Sequence, residues 1–125
     1  MPPPQSKIPT VIAKQKQAYQ LWLVLHRNFP KTERLGLGRK IDSALLDVLE
    51  WTFAASYLPL EPKIVTLGRT ISRLDVVKFF AQMAWESKLL PTDKYATLSE
   101  QLEEVGRQLG AWRKGLQSKT PAAKA

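Results

Sequence analysis

Few residues in this chain could carry covalent chemistry, and their number and spacing argue against it. There is no cysteine among the 125 residues, so thiolate nucleophiles, thiolate metal sites and disulfides are excluded. The one histidine, His26, rules out a histidine metal cluster and leaves a catalytic triad without support. It follows Trp22 by one helical turn, where a packed or hydrogen-bonded imidazole is expected. Asp42, Asp47, Glu50, Asp75 and Glu86 are scattered over two segments. A carboxylate bundle for two metals also needs Glu-x-x-His pairs, and the sequence has none. Glu100, Glu103 and Glu104 read as a solvated face. Gly36-Leu37-Gly38-Arg39-Lys40 has the composition of a phosphate loop, without the Walker spacing or a preceding strand. No catalytic residue, metal site or cofactor is expected, and an enzyme is not.

The basic residues remain. Nineteen Lys+Arg against eleven Asp+Glu leave a net charge of +8, which points to a polyanionic partner, nucleic acid first. No acidic residue precedes Glu33, whereas Lys7, Lys14, Lys16, Arg27 and Lys31 do; Arg34, Arg39 and Lys40 follow closely. Arg69 and Arg73 are one helical turn apart, on one face. Arg113, Lys114, Lys119 and Lys124 gather near the C-terminus. Lys7, Lys14, Lys16, Arg69, Arg73, Arg113, Lys114 and Lys119 are the candidate nucleic-acid contacts, made to phosphate backbone with little sequence preference.

Helices must position these groups, because no segment alternates like a strand. Proline divides the chain into four helical stretches. The first covers residues 10–29, with Ile8, Val11, Gln15, Ala18, Trp22, Leu25 and Phe29 on one face and Pro30 as its stop. The second covers 31–57, with Ile41, Leu45, Val48, Leu49 and Thr52 inward. After a loop at 58–62, the third covers 63–90. The fourth follows Thr92 as N-cap, with Tyr95, Leu98, Leu102, Val105, Leu109, Trp112 and Leu116 inward. The expectation is all-α: an antiparallel up-down-up-down four-helix bundle over 10–118, between disordered tails at 1–9 and 119–125. That topology crowds Lys7, Lys14, Arg113, Lys114 and Lys119 at one end. The first residues lack a signal-peptide core, and no apolar run suits a membrane span, so a cytoplasmic location without a membrane partner is expected.

The apolar content exceeds what one bundle buries. The third helix has one stripe of Ile64, Leu67, Ile71, Leu74, Trp85 and Leu89. A second, nearly opposite, consists of Val65, Val76, Phe80, Met83 and Leu90. Leu35, Leu46, Phe53 and Tyr57 likewise point away from the second helix's core face. Leu46, Phe53, Tyr57, Val65, Val76, Phe80 and Met83 are therefore the candidate interface, with a second copy of the chain the economical cover.

Phe29-Pro30-Lys31-Thr32-Glu33-Arg34-Leu35-Gly36-Leu37-Gly38-Arg39-Lys40-Ile41 resembles the turn signature F-P-K-x-E-R-x-x-L-G-x-R-I of a bacterial family. Arg107-Gln108-Leu109-Gly110-Ala111-Trp112 resembles its later R-x-L-G-x-W. The family contains the accessory variability determinants (Avd) of diversity-generating retroelements and proteins encoded in intervening sequences of 23S rRNA genes. Lys40, where arginine is common, and Ala111, where glycine is common, depart from the pattern. The resemblance implies a homopentameric barrel, RNA and DNA binding, and docking on the retroelement's reverse transcriptase as a non-catalytic subunit supporting mutagenic cDNA synthesis. An interaction protein of the intervening-sequence type, with no such enzyme partner, is the alternative. The motif residues Pro30, Lys31, Glu33, Arg34, Gly38 and Lys40 are read mainly as structural: Glu33 and Arg34 start a helix, and Gly38 and Gly110 permit close packing.

Overall fold

The computed structural model describes residues 9–119. Lys7, Ile8, Lys124 and nearly all of both expected tails lie outside the described residues. Five helices follow in order: α1 (Val11–Arg27), α2 (Lys31–Leu35), α3 (Leu37–Ala55), α4 (Leu60–Glu86) and α5 (Thr92–Gln117). No strand occurs among the described residues. The helices pack as a closed ring in which α1 touches α3 and α5 while α4 touches both of these. Four long antiparallel helices thus make the bundle, and the single turn of α2 caps one corner.

The ring closes because each helix turns an apolar stripe inward. Val11, Gln15, Ala18, Trp22, Leu25 and Phe29 are buried at alternating three- and four-residue steps, as the periodicity requires. Ile41, Leu45, Val48 and Thr52 meet them from α3, and Leu98, Leu102, Val105 and Leu109 from α5. One polar pair links two helices inside the core: Gln15 Nε2 donates to Thr52 Oγ1 at 2.8 Å, and Thr52 Oγ1 donates to the Val48 carbonyl at 2.7 Å, while Gln15 Oε1 has no partner among the described residues. This bond fixes α1 against α3 in register.

Four boundaries differ from the sequence expectation. The second helix is broken at Gly36, whose φ of −97° and ψ of −102° lie outside the helical region. The break separates α2 from α3 and lets the chain fold back against His26. The loop at 58–62 is shorter than expected, because α4 starts at Leu60 after Pro59. Pro62 falls in the first helical turn, where its missing N–H would have no intrahelical acceptor in any case. The third helix ends at Glu86 rather than near residue 90. Lys88 N–H donates to the Trp85 carbonyl at 2.9 Å and Leu89 N–H to the Ala84 carbonyl at 2.8 Å, with Lys88 at φ +63°. That is a Schellman closure built without its usual glycine. Thr92 is the first residue of α5 and not its N-cap, a position held by Pro91. Its Oγ1 instead accepts a hydrogen bond from Trp85 Nε1 at 3.1 Å.

The early stop of α4 also reassigns two apolar residues. Leu90, placed in the outer stripe, is buried by the returning turn. Trp85, placed in the core stripe, is partly exposed and stacks on Tyr95 at 5.1 Å between ring centroids. No close packing exists at Gly110, where an added Cβ would meet nothing within 4 Å.

Candidate nucleic-acid interface

Arg69 and Arg73 lie on the outer face of α4 opposite Trp51 of α3. Both guanidinium carbons stand over the same indole, at 4.8 Å and 5.3 Å from its centroid. A guanidinium stacked on a ring gives up one face and keeps its edge of N–H donors for a ligand. Arg73 Nε lies 3.7 Å from Asp47 Oδ2, one turn before Trp51 on α3. Arg69 forms no ion pair among the described residues. Trp51, Arg69, Ser72, Arg73 and Val76 line an open groove of about 330 Å³. Its floor is aromatic and its rim cationic, a combination that suits a phosphodiester or a stacked base. The sequence reading found the two arginines and missed Trp51. The available signal was the turn spacing of Asp47 and Trp51 on a helix expected to neighbour the third.

Of the basic residues expected at one end of the bundle, Arg113 and Lys14 engage neighbouring groups. Arg113 Nε donates to the Ile64 carbonyl at 3.1 Å, and its guanidinium lies where a Cβ on Gly68 would come within 3.1 Å. Arg113 therefore joins the end of α5 to the start of α4. Lys14 lies close enough to Glu104 to help hold that carboxyl below its ordinary range, behind hydrogen bonds from Gln108 and Arg107. Lys16, Lys114 and Lys119 are exposed. Lys7 lies outside the described residues.

His26 takes the structural role its position suggests. It stacks on Trp22 at 4.9 Å and meets Phe29 edge-on at 5.7 Å. Its Nε2 lies 3.0 Å from the Arg34 carbonyl, so the proton sits on Nε2 and satisfies a carbonyl at the end of α2. Asp42 is likewise committed. Its Oδ1 accepts bonds from Tyr19 Oη at 2.9 Å and Trp22 Nε1 at 3.2 Å. Burial, then the Asp42 carboxylate, pushes the Tyr19 hydroxyl up to about 12. Lys78 bridges α4 to α5 through Glu103 at 3.1 Å. Among the described residues no group of three or more His, Cys, Asp or Glu could hold a metal ion.

Of the interface candidates, Leu46, Phe53, Tyr57, Val65 and Met83 are exposed, with Val65 at 61%. Val76 and Phe80 are half-buried, Phe80 against the core. Phe79, not singled out in the sequence, is 59% exposed. No helix among the described residues is long and apolar enough to cross a membrane.

The fold is thus an all-α four-helix bundle that exposes large apolar side chains and carries a groove with an aromatic floor and a cationic rim. A family model described as bAvd-like matches residues 10–116, from the residue before α1 almost to the end of α5. The chain belongs to that family. No curated protein matches it.

Proposed function

We propose that this chain is the non-catalytic accessory subunit of a bacterial diversity-generating retroelement, acting in the cytoplasm. In this reading it is a basic homo-oligomer, a pentamer, that binds template RNA and cDNA through their backbones. It docks on the retroelement's reverse transcriptase and supports mutagenic cDNA synthesis. Membership of the bAvd-like family supports it over the intervening-sequence alternative. The observation that carries nucleic-acid binding is the pair Arg69 and Arg73 stacked on Trp51, on a chain of net charge +8. The uncovered apolar side chains support self-association.

The test is a salt titration of the purified protein on a labelled structured RNA. Affinity should fall steeply with salt, with a log–log slope corresponding to about five or more phosphates. Replacing both arginines, Arg69→Gln with Arg73→Gln, should flatten that slope by about 1 to 2 and leave the helical signal intact. Absence of binding by the native protein at low salt overturns the reading.

A further inference from the structure

The corner where α1, α2 and α3 meet carries charge that neither the fold nor the groove uses. Arg27 ends α1, Lys31 and Arg34 lie on α2, and Arg39 and Lys40 lie in the first turn of α3. The chain between them cannot spread. His26 Nε2 holds the Arg34 carbonyl at 3.0 Å, and the Gly38 backbone comes so near the imidazole that a Cβ there would lie 2.5 Å from Nε2. Five cationic side chains are thus gathered over fourteen residues of one compact turn. Arg27, Lys31, Arg39 and Lys40 are exposed, and none of the five takes part in an ion pair among the described residues.

Counter-charge at the corner is sparse. Glu33 is the one acidic residue before Asp42, and Asp42 is turned inward to Tyr19 and Trp22. Glu86 and Asp93 share this end of the bundle through the α4–α5 turn, where Lys88 and Lys94 offset them. Concentrating like charge in this way raises the free energy of the isolated fold, and a bound polyanion relieves it. The arrangement favours nucleic acid over a protein partner. Within the turn the one large apolar side chain left exposed is Leu35, and no exposed aromatic anchor accompanies it. Long, flexible cationic side chains without a shaped pocket match phosphates, which require charge more than fit.

We propose that this corner is a second phosphodiester-binding surface, contacting a nucleic-acid strand through Arg27, Lys31, Arg39 and Lys40. The proposal rests on the nucleic-acid reading above but names a different surface. Lys40 and Trp51 lie on the same helix, eleven residues and so roughly 16 Å apart along its axis. That exceeds the screening length of about 8–10 Å at moderate salt, so the corner and the groove contribute separately and are separable by mutation.

The experiment compares three proteins on a labelled single-stranded RNA across a salt series: the native chain, a groove variant (Arg69→Gln, Arg73→Gln) and a corner variant (Arg27→Gln, Lys31→Gln, Arg39→Gln, Lys40→Gln). Each single-strand phosphate contact contributes about 0.7 to the log–log slope, so the corner variant should lose about 2 to 3 units of slope and roughly tenfold or more in affinity. As a check independent of the variants, RNA bound to the native protein should protect Lys31 and Lys40 from an amine-reactive label, read by mass spectrometry. Unchanged slope in a corner variant that keeps native helicity, with Lys31 and Lys40 still labelled, overturns the corner proposal; the charge would then answer to an acidic protein surface. If that result comes with a weakened groove variant, nucleic-acid binding itself stands. If the native chain binds no RNA, both readings fail together.

Discussion

At Gly38 an added Cβ would come within 2.5 Å of His26 Nε2 and 3.1 Å of the Glu33 carbonyl oxygen. The imidazole cannot step aside freely, because it is stacked on Trp22 and bonded to Arg34. Gly38→Ala should therefore destabilise the fold by about 1–3 kcal/mol, as overpacking does. Urea unfolding checks this, and Gly110→Ala, in open space in the middle of α5, should instead gain about 0.5–1 kcal/mol. Tyr19 makes a prediction in pH. Its folded-state value is raised to about 12 from 10.0, so the hydroxyl's contribution is complete below pH 10 and is lost as pH rises toward 12. The stability difference between the native chain and Tyr19→Phe should be flat below pH 10 and shift in favour of the variant above it. The phenolate absorbance should show one tyrosine titrating late. These residues were legible by type. His26 and Gly38 stood out in the sequence, but their mutual contact did not, because it joins two segments across a turn.

Among the elements, α1 and α3 are pinned by the buried bond between Gln15 and Thr52. Thr52→Val leaves the Gln15 amide with a buried donor unpaired and should cost about 1–3 kcal/mol. Adding Gln15→Leu removes the orphan, so the double variant should be more stable than the sum of the single effects predicts. A double-mutant cycle by chemical denaturation measures the coupling. The four long helices, their order and most of their inward faces followed from periodicity because burial in a bundle repeats with the helical turn; the split of α2 from α3 and the exchange of Trp85 and Leu90 did not. The helix ends were less legible. α4 closes through a Schellman motif with lysine in the left-handed position, so no glycine marks the stop. The break falls at Gly36, where glycine weakens a helix locally, but the contact of His26 with Gly38 across the α1–α2 turn joins segments distant in sequence.

For the whole molecule, the question is what covers the outer apolar face. Val65 at 61% and Phe53 at 50% exposed are large apolar groups that the described residues leave uncovered. If they lie between copies, Val65→Asp should reduce the mass in solution toward 14.2 kDa, the mass of one chain, while leaving the helical signal unchanged. Light scattering on the eluting protein gives the answer, and an unchanged mass sends the search for the interface to Leu46 and Met83.

The sequence by itself determined the class of the fold, the inward stripes, the excess of positive charge and the family signature, because each resides in composition or in helical period. Tertiary structure decided which charges act together. It set Arg69 and Arg73 on Trp51, tied Arg113 to the Ile64 carbonyl, put Lys14 beside Glu104 and folded the signature segment into a basic corner. The physical reason is range. A helix's buried face follows from neighbours one turn away, whereas a binding surface is made by side chains from different helices, whose rotation and offset are settled only when the core packs.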